Sequence, residues 1–264
     1  MNIVVINDDG WGAQGILTLT RLMLPLGHVI VIAPDGPRSG YSSCITVNKP
    51  IYLAPQQDAQ TKDLENIAPH GLEVYTTNGT PADCVKLAIN ARFNGDPSQI
   101  DLIVSGINHG SNDACNTCYS GTLGICMSAA EHSIRAIGFS LVVDSFNEVL
   151  DTQYLEPILV DLTKTLITDS DLWQRGVFYN INFPKGPIEG VRWTRQCKSH
   201  WTKELEKKVD ETGVTYYELI GDFINEEPEA TDTDRYAIDH HMVSVCPQCI
   251  DMTSYKLLDK KRNE

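Results

Sequence analysis

No stretch of the chain is apolar for long enough to cross a bilayer. The longest such runs, residues 29–33 and 137–143, fall far short of the ~20 residues a membrane helix needs. The N-terminus lacks the basic region of a secretory signal, and two acids already stand at Asp8 and Asp9. Positive charge is scarce: 21 Lys plus Arg against 35 Asp plus Glu give a formal charge of −14. Proteins that grip a nucleic-acid backbone rely on Lys/Arg clusters, so that class is excluded. A small anion held by local dipoles, or a divalent cation, is not. Low-complexity tracts are absent, and 42% of the residues are hydrophobic against 21% charged, which excludes a disordered chain. The expectation is a soluble cytoplasmic protein with neither membrane nor duplex nucleic acid as partner. The 264 residues allow one large domain or two small ones.

Eight cysteines are present, two pairs of them in C-x-x-C spacing at Cys115/Cys118 and Cys246/Cys249. The pairs lie far apart in sequence, unlike the compact spacing of zinc ribbons, so scattered reduced thiols are expected rather than a zinc site or a disulfide framework.

Residues 3–6 and 29–33 are short β-branched runs of the kind buried on both faces of a parallel sheet. Between them Ile16, Leu17, Leu19, Leu22, Met23 and Leu26 have helical spacing, closed by Pro25 and Gly27. Strand, helix and strand within about 35 residues indicate a parallel α/β unit. Residues 43–53 read as an extended hairpin and 55–69 as a polar surface insertion. Thr80-Pro81 caps a helix whose buried face carries Val85, Ala88, Ile89 and Phe93. Further strands are expected at 100–104, 139–143 and 177–183, and a helix at 154–167. After residue 190 the texture turns polar and aromatic, with strands at 191–195, 214–219 and 242–246. The reading is an α/β domain over residues 1–190 and a β-rich C-terminal appendage over 191–264. The strands 191–195 and 214–219, joined by the charged stretch 201–212, form a two-stranded arm expected to serve assembly.

Gly10, Gly12 and Gly15 match G-x-G-x-x-G after the first strand, and Asp35 ends the second, as in a dinucleotide fingerprint. That fingerprint seats a pyrophosphate against the glycine turn. Asp8 and Asp9 at the same strand tip would repel it unless a cation lay between, which argues against a nicotinamide cofactor.

With a metal between those carboxylates, three strand ends make sense together. Strand one ends in Asn7-Asp8-Asp9-Gly10, the loop after strand two carries Asp35, Arg38, Ser39 and Gly40, and a third strand ends in Ser105-Gly106-Ile107-Asn108-His109-Gly110-Ser111-Asn112. Ligands gather at the carboxyl ends of strands in such sheets. Carboxylates, a hydroxyl and an amide oxygen are hard donors suited to Mg²⁺ or Mn²⁺. Tyr119-Ser120-Gly121-Thr122 opens a helix whose N-terminus could cradle a phosphate.

These blocks, with Gly79-Thr80-Pro81-Ala82-Asp83-Cys84-Val85 between them, resemble the signature blocks of the SurE (survival protein E) nucleotidases, in family order over roughly residues 1–145. Asp234, Ala237 and Val243-Ser244-Val245-x-Pro247 resemble the family's C-terminal region more loosely. The resemblance implies a Rossmann-like three-layer α/β/α core with a mostly parallel sheet. It implies a metal-dependent phosphomonoesterase acting on nucleoside 5′- and 3′-monophosphates. It also implies one divalent ion per subunit, held by Asp8, Asp9, Ser39 and Asn108, with Asp8 and Asp9 catalytic. Phosphate contacts follow at Asn112, Ser120, Gly121 and Thr122, in a homodimer or homotetramer that exchanges C-terminal segments. Ala114-Cys115-Asn116, Gln14, Ser128-Ala129 and Arg135 depart from the usual family residues without touching the implied ligands. A non-catalytic nucleotide-binding module on the same fold is the competing expectation.

Overall fold

In the computed structural model, which describes residues 1–145 and 148–262, the apolar runs become the middle of one large sheet. In chain order the elements are β1 (Asn2–Ile6), α1 (Gln14–Met23), β2 (His28–Pro34), β3 (Leu53–Pro55), α2 (Ala59–Asn66), β4 (Leu72–Thr77) and α3 (Pro81–Leu87). Then follow β5 (Leu102–His109), α4 (Gly121–Glu131), β6 (Ala136–Leu141), α5 (Glu156–Thr168), β7 (Val177–Phe183) and β8 (Gly190–Trp193). The chain ends with β9 (Ser199–Thr202), β10 (Leu205–Val209), β11 (Thr215–Leu219), β12 (Asp222–Asn225), α6 (Asp234–Asp239), β13 (Met242–Cys249) and α7 (Tyr255–Arg262).

The central sheet has nine strands in the order β3-β4-β2-β1-β5-β6-β7-β13-β8. The six from β4 to β7 pair in parallel, while β3 and β13 run antiparallel to β4 and β7. Alternation along β1 explains the layers. Ile3 and Val5 pack with Ile16, Leu19 and Met23 of α1 and Leu159 of α5, whereas Val4 and Ile6 pack on the other face with Val85 of α3 and Leu123 and Ala129 of α4. Each fully buried aliphatic side chain contributes roughly 1.5–3 kcal/mol, which is why the fully buried positions of β1, Ile3 to Ile6, are all aliphatic. The result is the three-layer α/β/α fold expected. From β1 the chain passes first to β2 and β4 on one side, then to β5, β6 and β7 on the other. The order therefore reverses at the β1–β5 crevice, where open α/β sheets bind ligands.

Close backbone contact fixes α1 at that crevice. A Cβ on Gly15 would lie 2.0 Å from the carbonyl oxygen of Ile107, so the third glycine of the G-x-G-x-x-G pattern seats a helix directly on β5.

Several expectations change. Residues 43–53 do not form a hairpin; only Leu53–Pro55 is a strand, paired antiparallel with β4. The polar stretch 55–69 contains α2, whose N-cap Asp58 accepts from the Thr61 N–H. β4 itself escapes sequence reading, because Glu73 and the flanking threonines interrupt its apolar pattern. The strand expected at 100–104 continues to His109, with a register shift against β6 between Ser105 and Asn108. The strands at 191–195 and 214–219 do not pair. β8 joins the central sheet beside β13, and the arm is instead made by β9 with β12 and β10 with β11. The arm carries Leu205, Tyr217 and Leu219 in the open, Leu219 at 80% exposure.

Among the described residues no helix is long and apolar enough to cross a membrane.

Candidate active site

β1 ends in a turn that the Asn7 side chain closes. Its Nδ2 donates to the Gly10 carbonyl (2.9 Å) and its Oδ1 accepts from the Gly10 N–H (3.1 Å). Asp8 and Asp9 are thereby presented at the tip of the strand. Asp8 is 3% exposed, and its Oδ1 accepts from the Thr122 hydroxyl at 2.7 Å. The first turn of α4 presses against it so closely that a Cβ on Gly121 would stand 2.7 Å from Asp8 Oδ2. Asp9 is half-buried and accepts from the backbone N–H of His109.

Burial above all, and the neighbouring Asp9, push the Asp8 carboxyl up to about 7, against help from Thr122. Burial raises Asp9 as well. Among the described residues neither carboxylate has an ion-pair partner; Arg38, on the facing loop, is bound to Asp35 at 2.6 Å. The proton is retained in the folded state over a pH range where the unfolded chain has released it. The contribution of Asp8 to the stability of the metal-free protein therefore falls as pH rises from about 4 to about 7 and levels off above.

The other expected residues converge on this tip to different degrees. The Arg38 N–H donates to the Asp8 carbonyl (2.6 Å), which sets the exposed Ser39 in the loop facing the turn. Asn108 lies at the end of β5 beyond the register shift. Its Nδ2 donates to the Gly110 carbonyl (2.8 Å), which leaves Oδ1, the atom a cation would need, without that duty. Asn112 is buried in the following loop, its Nδ2 on Ser140. Ser120 is the N-cap of α4 and accepts from the Leu123 N–H, keeping its own hydroxyl proton to donate. Gly121 lies against Asp8, and the Thr122 hydroxyl is engaged by Asp8.

Three sets support these residues; Thr80, Asp83 and Asp234 were named from the sequence without a role in the site, while Asn180 and Asn182 escaped it. Asp83 closes a capping box with Thr80 and also accepts from the Thr46 N–H, while the Thr80 hydroxyl donates to the Cys44 carbonyl. The segment that follows Ser39 is held from α3 in this way. Asn180 and Asn182 are fully buried on β7 and bond to the Asn112 backbone. The available signal was two asparagines at alternate positions of an otherwise apolar strand. Asp234, at the start of α6, accepts from the Ala114 and Cys197 N–H groups, tying the C-terminal part to the loop after Asn112. Burial pushes its carboxyl up to about 6.

Hard oxygen donors without counter-charge fit a divalent ion. Among the described residues no three His, Cys, Asp or Glu side chains are arranged to hold a metal, so an ion at the two carboxylates would take its other ligands from neutral oxygens, for which Ser39 Oγ and Asn108 Oδ1 are the candidates. The eight cysteines are free thiols. Cys118, Cys246 and Cys249 line one cavity of about 820 Å³.

A family model described as Survival protein SurE matches residues 3–203. The chain belongs to the SurE family. It is 36% identical to the 5′-nucleotidase SurE of Flavobacterium psychrophilum over 99% of this chain and 96% of that protein. It is 38% identical to the protein of the same name from Christiangramia forsetii, covering 97% and 94%. The crystal structure of SurE protein from Aquifex aeolicus superimposes with a TM-score of 0.79 at 28% identity, covering 98% of each chain. Departures from the usual SurE residues find local partners here. The Gln14 side chain bonds both the N–H and the carbonyl of Leu150, and Arg135 donates to the Ile167 carbonyl.

Replacing Asp8 by Asn removes the buried charge while keeping an acceptor for Thr122. The melting temperature of the metal-free protein at pH 8 should rise by about 5 °C. An unchanged or lower value in a thermal melt would contradict the electrostatic reading of the turn.

Proposed function

We propose that this chain is a metal-dependent 5′-nucleotidase, a phosphoric monoester hydrolase that converts nucleoside 5′-monophosphates, and 3′-monophosphates, to nucleoside and phosphate. The observation that carries the reading is the adjacent, buried and uncompensated pair Asp8–Asp9 at the topological switch point of the sheet. Two such anions repel a substrate phosphate unless a cation lies between them and it. Asp8, Asp9, Ser39 and Asn108 would hold one Mg²⁺ or Mn²⁺. When bound, that ion supplies Lewis-acid polarisation of the phosphoryl group and activation of water.

The chain's own residues do the rest. Thr122 fixes the Asp8 carboxylate through its hydroxyl and backbone N–H. The Ser120 hydroxyl and the Gly121 N–H at the start of α4 are offered to the phosphate, where the helix N-terminus favours negative charge. Asn112 contributes a side-chain amide to the same anion. Catalysis of phosphoryl transfer is largely positioning and electrostatic stabilisation, which this arrangement supplies. No aspartyl-phosphatase D-x-D motif precedes the glycine turn, which supports direct attack by water.

The reading is tested by phosphate release from AMP, GMP, 3′-AMP and simple aryl phosphates, with Mn²⁺, with Mg²⁺ and with chelator. Turnover of the nucleotides should depend on the metal, and Asp9→Asn should lower kcat/KM by about 100-fold or more with the fold intact. Metal-independent turnover, or an Asp9→Asn variant within about threefold of wild type, would refute it.

The arm extends the proposal to assembly. A two-stranded ribbon with exposed Leu205, Tyr217 and Leu219 cannot bury its apolar face by itself, so we assign it to contact with a second copy of this chain, in a homodimer or homotetramer with exchanged C-terminal segments. Light scattering should give a dimer or larger, and replacing residues 203–221 by a short Gly-Ser linker should dissociate it. A fully active 29 kDa monomer would refute the assignment.

A further inference from the structure

Asn112 is held at both backbone polar groups and at one of its two side-chain N–H donors. Its N–H donates to Asn182 Oδ1 (2.7 Å), and its carbonyl accepts from Asn180 Nδ2 (2.9 Å) and the Thr117 hydroxyl (3.1 Å). Its side-chain Nδ2 donates to Ser140 Oγ (2.8 Å), and Asn182 Nδ2 in turn donates to Asn180 Oδ1 (2.9 Å). Ser140, Asn180 and Asn182 are all 0% exposed, and Ser140 stands opposite Asn182 in the β6–β7 ladder. Buried polar side chains in an apolar sheet cost free energy unless their bonds are made. Here three of them sit on two central strands, and their bonds converge on one loop residue.

Two positions of the side chain remain: Oδ1, which accepts no hydrogen bond from the described residues, and the second hydrogen of Nδ2, which donates none. A phosphate oxygen is an acceptor too, so an amide that touches it must offer N–H instead. Turning the amide by half a turn about its terminal torsion exchanges the two atoms. The partner at Ser140 must then donate where it had accepted. A hydroxyl does both; a carboxylate or an ammonium does only one.

We infer that Ser140 is a positioning residue for phosphate binding: its hydroxyl holds the Asn112 amide, accepting from one N–H while the other meets the phosphate, or donating to Oδ1 when the NH₂ is turned outward, while Asn180 and Asn182 fix the Asn112 backbone. This rests on the reading of Asn112 as a phosphate contact. Ser140 itself does not touch the substrate. Its effect is to orient and polarise the amide that does, and that effect belongs to bound phosphate whether carried by substrate or by product.

The test uses the Mn²⁺-saturated full chain with AMP, recording kcat, KM and the competitive inhibition constant of inorganic phosphate. Ser140→Ala should raise KM and the phosphate inhibition constant together by about tenfold, with kcat changed less than about threefold, as for one charge-assisted hydrogen bond lost in both bound states. Ser140→Thr and Ser140→Val match each other in shape and differ in the hydroxyl. The Thr variant should stay near wild type and the Val variant should follow Ala, with thermal melts verifying that each is folded. Asn112→Ala, measured in parallel, separates the two layers of the argument. If Asn112→Ala loses phosphate affinity while Ser140→Ala and Ser140→Val keep it, the positioning role is refuted and the phosphate contact stands. If Asn112→Ala also binds phosphate normally, both fall. Equal loss in the Thr and Val variants assigns the effect to packing and overturns the role of the hydroxyl.

Discussion

The structure turns on two carboxylates that are neighbours in sequence, at the end of a strand buried on both faces. β1 is central in the sheet, so its tip opens into the crevice where strand order reverses, and whatever stands there is screened from water on several sides. At that point the chain places Asp8 and Asp9 rather than the small or donor residues an anion site needs. The pair is unfavourable in isolation, as the upward displacement of Asp8 shows. Such a group persists where its interaction with a ligand matters more than the stability it forfeits.

The surroundings read as consequences of keeping that pair in place. The Asn7 side chain closes the turn, and Arg38 binds its backbone from the facing loop. The Asp83 capping box holds the far end of that loop, and α4 starts so close to Asp8 that only glycine fits at position 121. From the other side, Gly15 lets α1 rest on the Ile107 carbonyl, so the end of β5 that carries Asn108 is braced by backbone rather than by flexible side chains. The polar ladder of Ser140, Asn180 and Asn182 continues this bracing into β6 and β7. A site of short side chains on rigid strand ends would lose little entropy on taking up a small ligand.

Much of this was legible in the sequence, for physical reasons that also set the limits. β1, β2 and β7 are continuous apolar runs because both their faces are covered, and such runs are hard to mistake. Asp8 and Asp9 stood out because acids directly after such a run contradict the anion-binding glycine motif beside them. β4 and α2 did not stand out, since both lie toward an edge of the sheet and carry Glu73, Lys62 and similar polar residues on partly exposed faces. The arm was misread because pairing is a property of register rather than of composition. β8 looks like a hairpin strand, yet it pairs with β13, which arrives about fifty residues later by number. Asn180 and Asn182 were hidden for a related reason: their importance lies in Asn112, a residue far away in the chain.

The central claim, that Asp8 and Asp9 are a cation site, predicts that a divalent ion must displace the proton held by Asp8. Calorimetric titration of Mn²⁺ into the metal-free chain, in buffers of different ionisation enthalpy, measures that displacement directly. With the Asp8 carboxyl titrating at about 7, about one proton should be released per ion bound near pH 6 and almost none near pH 8. The stoichiometry should be one ion per chain, lost in Asp8→Asn. Absence of saturable Mn²⁺ binding, or binding that Asp8→Asn leaves untouched, would contradict the account.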